Sequence, residues 1–156
     1  MPTHREKRRL PWPARQMYDL VADVARYPEF LPWTAAARVR SRKPLPGGGP
    51  HDEVMEADLV ISFRVFRESF ASRVVLRPDT YRIDTEYLDG PFRYLKSWWQ
   101  FRDLPEGGCE AEFFVDFEFR NAVLQKVIGV VFNQAMQRVV RAFEERARAL
   151  YGPGEG

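Results

Sequence analysis

Side chains that act as nucleophiles, bases or metal ligands are few and scattered in this sequence. It has one cysteine, Cys109, and two histidines, His4 and His51. A zinc site needs three or four ligands at short spacing, and a serine or cysteine nucleophile needs a base beside it. No nucleophile elbow, glycine-rich phosphate loop or HExxH motif occurs. We therefore expect a protein that is not an enzyme and has no metal site and no catalytic cofactor.

Glu68 is the acidic residue with the least ordinary position. It shares strand parity with Phe66, Phe70 and Val74, so the sequence predicts that it points toward the buried side of a sheet. A buried carboxylate needs a partner, either inside the protein or on a ligand, and both interpretations stay open. Asp116 and other acidic residues that alternate with phenylalanines are predicted to face solvent.

Aromatic residues make up 14% of the chain and concentrate in segments 27–33, 63–70, 92–101 and 113–119. Their number fits either a large core or a pocket for a small apolar molecule, because such sites are walled mainly by apolar and aromatic side chains. Neighbouring residues of a strand point to opposite faces. Trp98 and Trp99 should therefore lie on different sides of the sheet, with Trp99 on the same side as Phe101.

Hydrophobic periodicity gives the elements that would position these rings. Apolar and charged residues alternate with period two from Val54 to Arg120, which predicts about six antiparallel strands with one wet and one buried face. An amphipathic helix is predicted from Pro13 to about Tyr27, ending before Pro28. The proline-rich segment 27–33 is predicted to form an aromatic corner.

A long helix is predicted from the N-cap Asn121 to about Leu150, with a length of roughly 43 Å at 1.5 Å per residue. Its first half is apolar nearly all round, so we expect it to be covered on several sides. A sheet with one apolar face needs a second layer, and this helix is the element able to supply it. The prediction is an α+β fold in which a curved sheet wraps the helix and leaves space between them.

Length and charge limit the organisation and the partners of the chain. With 156 residues and a net charge of +2, it is predicted to form a single domain over 1–152 with a short flexible tail at 153–156. The longest strongly apolar run, 127–132, is too short to span a membrane, and no signal peptide is apparent, so we expect a cytoplasmic protein. Basic clusters at 5–9 and 38–43 favour solvated edge strands over attraction to anionic surfaces, and DNA is not an expected partner.

Seven segments together resemble the coenzyme-Q-binding START-domain family. They are MYDLVADV at 17–24, YPEFLPW at 27–33, FRESF at 66–70, GPFRYL at 90–95, WQF at 99–101, FEFR at 117–120 and AFEERA at 142–147. They follow one another along almost the whole chain, and Thr34 is a departure at a position where relatives often carry cysteine or another small residue. The resemblance implies the helix-grip fold, with six or seven antiparallel strands around a long C-terminal helix and an internal hydrophobic cavity.

The same resemblance implies three alternative functions. The first is a non-catalytic carrier or chaperone for ubiquinone or a related isoprenoid lipid, supporting respiration and quinone biosynthesis. The second is a toxin that binds the large ribosomal subunit and blocks subunit association. The third is a polyketide cyclase or aromatase, for which the sequence offers no convincing acid–base pair.

Two sets of site residues follow from parity and from the family's cavity position. The residues predicted to line the cavity are Phe30, Leu31, Trp33, Leu59, Ile61, Phe63, Glu68, Trp99, Phe101, Val127, Val131 and Met136. The residues predicted for transient contact with the inner membrane are Tyr27, Pro28, Phe30, Leu31, Pro32 and Trp33. For this second set, packing of the corner onto the long helix is an equally weighted alternative.

Overall fold

The computed structural model describes residues 3–63 and 66–153. Most of the predicted tail, residues 154–156, lies outside the described residues, as do residues 1–2 and 64–65 of the predicted domain. The strands are β1 (Thr3–Leu10), β2 (Thr34–Pro44), β3 (Glu53–Phe63), β4 (Phe66–Arg77), β5 (Arg82–Asp89), β6 (Phe92–Asp103) and β7 (Cys109–Phe119). The helices are α1 (Ala14–Ala22), a 3₁₀ helix (Val24–Glu29) and α2 (Ala122–Tyr151).

The seven strands form one antiparallel sheet in the order β1-β7-β6-β5-β4-β3-β2. The predicted architecture is confirmed: an α+β fold with a curved sheet and a long C-terminal helix. β1 and β2, which carry the two basic clusters, lie at the two edges of the sheet, as the clusters indicated. Register shifts interrupt the β2–β3 ladder at Thr34/Ala36 and at Val39/Ser41.

The first helix ends earlier than its hydrophobic period predicts. α1 stops at Ala22 and not near Tyr27, because the backbone of Asp23 leaves the helical region with φ −85° and ψ 67°. The chain then continues as the 3₁₀ helix that contains Pro28. This break re-aims the corner so that Tyr27 contacts Phe143 of α2, with ring centroids 5.4 Å apart. Tertiary packing thus overrides the local pattern here.

α2 begins where the sequence predicts and spans 30 residues. The Asn121 side chain accepts a hydrogen bond from the Leu124 amide at 3.0 Å, which satisfies one of the unpaired N–H groups of the first turn. The buried residues of α2 follow one stripe, ending with Phe143 and Ala147. The expectation that its first half is covered on several sides is wrong. Val123 and Val130 are 65% and 82% exposed, because the sheet covers one face of the helix only.

Candidate functional site

A cavity of about 270 Å³ lies between the concave face of the sheet and α2. Strands β3 to β7 contribute alternate residues to its wall, since alternate side chains of a strand point to the same face, with one register shift in β6 after Phe92. α1, the 3₁₀ helix and one face of α2 close the other side. The wall is almost entirely apolar, so the cavity suits an apolar ligand.

Small hydroxyl residues on three neighbouring strands explain why the space is not filled. Ser72 of β4, Thr85 of β5 and Ser97 of β6 line the cavity, and Thr85 and Ser97 are directly opposite each other across the ladder. The Ser72 hydroxyl donates to the carbonyl of Ala57 at 3.5 Å. The short side chains leave space that larger ones would occupy, and the hydroxyls add polar groups to a mainly apolar wall.

Two clusters of aromatic rings line the cavity, and most of their ring pairs pack edge to face. Phe92 lies within 5.5 Å of the rings of Phe70, Tyr87, Phe117 and Phe119. A second cluster joins the sheet to the helix, with Trp99 lying 4.5 Å from Phe113 and 5.3 Å from Phe143 of α2. Such ring pairs stabilise the fold beyond what the buried apolar area alone contributes, and they hold the cavity wall in one arrangement.

Eight of the twelve residues predicted to line the cavity do so. They are Leu31, Trp33, Leu59, Ile61, Phe63, Glu68, Trp99 and Met136. Glu68 lies on the cavity side of β4, as its parity indicated, but is exposed, so it lies where the cavity opens to solvent. Trp99 is buried on the concave side and Trp98 lies on the outer face, where it stacks on Phe114.

Phe30, Phe101, Val127 and Val131 are not among the described lining residues, which corrects the prediction for these four. Phe30 packs on Phe143 and lies beneath the Arg146 guanidinium. Phe101 is 1% exposed and stacked on Trp99. It lies two positions further along β6 than Trp99, the last lining residue of that strand. For Val127 and Val131 the error is one residue of helix phase, since each residue turns the side chain by about 100° and the cavity side of α2 carries Leu124, Ile128 and Met136.

Some lining residues were missed by the sequence prediction. Val21 and Val24 come from the apolar stripe of the first helix, which could have been assigned to the cavity wall. Ser97 shares the parity of Leu95 and Trp99 and could have been found by that signal. Thr85 shares parity with Ile83, but no pattern distinguishes a lining threonine from a packed one.

The corner at 27–33 packs against the protein interior. The Tyr27 hydroxyl donates to the Val21 carbonyl, and burial raises the pKa of Tyr27. Leu31, Pro32 and Trp33 line the cavity instead of projecting outward. These contacts agree with the packing interpretation of the corner and give no support to a membrane contact through Tyr27, Pro28, Phe30, Leu31, Pro32 and Trp33.

The described residues contain neither a metal-ligand cluster nor a membrane-spanning helix. Within 3–63 and 66–153, no three His, Cys, Asp or Glu residues lie close enough together to hold a metal ion. No helix in the same ranges is both long and apolar enough to cross a membrane.

The sequence profile of the family described as polyketide cyclase / dehydrase and lipid transport matches residues 10–144. The chain belongs to this family. Among curated members, it is similar to the ribosome association toxin RatA of Rickettsia prowazekii, with 39% identity over 90% of this chain and 92% of that protein. RatA of Pseudomonas aeruginosa is 36% identical, over 97% of this chain and 100% of that protein.

Other proteins similar to this chain carry other names. The mitochondrial coenzyme Q-binding protein COQ10 homolog B of Xenopus laevis is 30% identical over 96% of this chain and 59% of that protein. The solution structure of an 18 kDa protein from Caulobacter crescentus has 30% identity and a TM-score of 0.78, covering 97% and 99% of the two chains. The Zhui aromatase/cyclase from Streptomyces has 17% identity and a TM-score of 0.76 over 98% of each chain, which shows the shared fold alone.

Proposed function

We propose that this protein is a ribosome association toxin that binds the large ribosomal subunit and hinders its joining to the small one. The observation that carries the proposal is the similarity to two RatA proteins at 36–39% identity over nine-tenths or more of this chain. The similarity extends over the sheet and the long helix and is not confined to the cavity.

A non-catalytic role is part of this proposal. The described cavity wall includes the hydroxyl residues Tyr27, Thr34, Ser72, Thr85 and Ser97 and one carboxylate, Glu68, at the opening. General acid–base chemistry needs a titratable pair within hydrogen-bond reach of one reacting atom. Among the described lining residues there is no histidine, lysine or cysteine to serve as the partner of Glu68, and the Tyr27 hydroxyl already donates to the Val21 carbonyl.

Controlled expression in a bacterial host tests the ribosome proposal. We expect growth to stop, whole ribosomes to decrease and free subunits to increase in a sucrose gradient, with the protein in the large-subunit fraction. Expression of the Gly108→Ala variant, in which the added methyl group would clash with the Leu10 carbonyl and destabilise the fold, provides the inactive control. Growth arrest with an unchanged ratio of whole ribosomes to free subunits would contradict the proposal.

A second function, binding of ubiquinone or a similar apolar ligand, is favoured by the cavity itself. Its volume of about 270 Å³ is near the lower end of the roughly 300–1,000 Å³ typical of small-molecule sites. It therefore suits a quinone ring with a short length of tail, the ring oxygens accepting hydrogen bonds from Thr85 or Ser97. The similarity to the COQ10 homolog adds weaker support, since its 30% identity is lower than the 36–39% identity of the two RatA proteins.

Extraction and melting experiments test this second function. The purified protein is extracted with organic solvent, the extract is analysed by mass spectrometry, and the protein is then melted with and without a short-tail ubiquinone. A ligand that binds only the folded state stabilises it by about 2.7 kcal/mol at a hundredfold excess over Kd, a shift in Tm of roughly 5–10 °C. An unchanged Tm at saturation would exclude ubiquinone and leave the ribosome proposal in place.

A further inference from the structure

The outer face of α2, opposite the cavity, has a composition unlike the rest of the surface. Its residues recur every three or four positions from Lys126 to Arg141, which places them on one side of the helix over about 22 Å. We call this stripe the cationic face. Its polar members are all exposed, namely the cations Lys126, Arg138 and Arg141 and the amides Asn133, Gln134 and Gln137.

The positive charge of the cationic face is not neutralised by the protein. Residues 122–143 include no aspartate or glutamate. Across the described ranges, no carboxylate lies within ion-pair distance of Lys126, Arg138 or Arg141. By contrast, Arg148 pairs with Glu144 at 3.7 Å, on the last turns of the same helix. A row of unpaired cations attracts a polyanion.

The guanidinium of Arg138 is held in place on this face. It lies 5.3 Å from the centroid of the Trp33 ring, a cation–π contact, and within the described ranges its N–H groups have no hydrogen-bond or ion-pair partner. Trp33 itself has a φ of 62°, a conformation that a bulky residue rarely adopts. The arrangement presents a fixed donor edge to a partner above the helix.

The uncharged members of the face favour RNA over a membrane as that partner. Gly129 has open space where a Cβ would lie, so a partner can approach the helix backbone closely. A groove of about 640 Å³ runs beside it, lined by Thr3, Gln125 and Asn133 among others. Amide and hydroxyl groups bind phosphate and sugar oxygens, whereas a helix that lies in a membrane needs large apolar residues. The exposed apolar residues of this part of α2 are valines, Val123 and Val130.

We infer that the cationic face binds the phosphate backbone of ribosomal RNA. This inference rests on the proposed ribosome association and names the surface that performs it. The cations neutralise phosphates, the amides bind phosphate and ribose oxygens, and Gly129 lets one strand of the RNA lie against the helix. The cavity side of α2 carries Leu124, Ile128 and Met136 and is not part of the cationic face.

Charge removal on the face, with matched removal elsewhere, tests the inference. The test variant is Lys126→Ala/Arg138→Ala/Arg141→Ala. The control is Arg9→Ala/Arg15→Ala/Arg26→Ala, which loses the same charge at three exposed arginines that have acidic partners: Glu106, Asp19 and Asp23. Both variants replace solvent-exposed side chains by alanine, and circular dichroism and Tm measurements confirm their folding.

Binding to isolated large subunits and to protein-free ribosomal RNA is then measured by sedimentation across a salt series. Each phosphate contact contributes about 0.9 to the slope of log K against log[salt], so three contacts contribute about 2.7. The ratio of the wild-type association constant to that of the test variant should then fall by roughly 40-fold as the salt concentration rises from 50 to 200 mM. The control variant should keep the wild-type slope.

The outcomes separate the surface from the function. If the test variant binds large subunits like the control variant, the cationic face is overturned and ribosome association stands. If neither the wild type nor the two variants bind large subunits, but the wild type binds free RNA through these three residues, the proposed ribosome association is wrong and the RNA-binding surface is supported. If the wild type binds neither subunits nor free RNA, both fall. Two other outcomes would also overturn RNA binding by the cationic face. One is binding only to vesicles of anionic phospholipid. The other is self-association that does not depend on salt and is lost in the test variant.

Discussion

The reactivity of Cys109, the first residue of β7, is set by its burial. Its side chain is 0% exposed, and burial, followed by the nearby charge of Asp103, raises the pKa of the thiol to about 12. The thiolate is the reactive species, so at pH 8 only about one molecule in ten thousand carries it. We expect native protein to resist iodoacetamide over a period in which urea-unfolded protein is fully alkylated, as judged by mass spectrometry. Rapid alkylation of the native protein would contradict this.

Glu112 on β7 makes a pH-dependent contribution to stability. Burial alone would raise the pKa of Glu112, but hydrogen bonds from Arg5 at 2.9 and 2.8 Å and the positive charge of Arg5 outweigh burial and lower it. Because the folded pKa is lowered, the contribution is complete above the ordinary carboxyl pKa of about 4.3. It is lost as the pH falls through the lower folded value.

The Glu112→Gln variant tests this pair. At pH 7 we expect it to be destabilised by about 1 kcal/mol, since Arg5 is largely exposed and solvent screens the interaction. In urea titrations the difference from wild type should shrink below about pH 4. Glu106→Gln, whose partner Arg9 is exposed along with it, should change stability by less than about 0.5 kcal/mol at either pH. A difference that grows on acidification would reverse the assigned sign.

At the scale of elements, the β6–β7 connection depends on Gly108. Its φ is +71°, and a Cβ there would lie 2.2 Å from the Leu10 carbonyl oxygen, a backbone atom that cannot move aside. Gly108→Ala should therefore destabilise the protein by well over the roughly 1 kcal/mol that left-handed backbone alone costs. The free energy of unfolding from urea titration measures it.

Gly47 supplies a control for the same substitution. It has a similar φ of +76° but no atom within 4 Å of the Cβ position. Gly47→Ala should show only the conformational cost, about 1 kcal/mol. Equal losses for the two variants would mean that Leu10 and β1 shift to accommodate the methyl group.

The elements also show what a sequence pattern can and cannot predict. Strand parity correctly placed Leu59, Ile61, Phe63 and Trp99, because alternation depends on local geometry alone. The end of α1 and the phase of Val131 were wrong, because both depend on how the helices dock against the sheet. A rotation of the helix about its axis by one residue cannot be detected from a segment such as 127–132, where every side of the helix is apolar.

At the scale of the whole molecule, the cavity is an unfilled volume that a single substitution can occupy. Ser97 is half-buried in the cavity wall, and Ser97→Leu would fill part of the space. We expect the unliganded protein to gain about 0.5–2 kcal/mol of stability and to lose its response to short-tail ubiquinone in melting experiments. Ser69→Leu, on the exposed side of β4, should do neither. A lower Tm for Ser97→Leu would indicate a wall without room for the side chain.

The space between sheet and helix was predicted from the hydrophobic pattern and again from the resemblance to a known family, while its size was not. Residues such as Ser72 and Thr85 decide the volume, and a small residue in a strand gives no sign of whether a neighbour fills its space. The exposed half of α2 was likewise unforeseen, since an apolar segment predicts burial and says nothing about which side remains uncovered.

The irregular outer strand β2 bears on how the protein behaves when it is abundant. An open sheet edge presents unpaired N–H and C=O groups that can template the addition of a strand from a neighbouring copy. The two register shifts along β2 break the spacing of those groups, and Arg38, Arg40 and Lys43 bring like charges together whenever two such edges meet. Fibrous or amorphous assembly through this edge is thereby disfavoured.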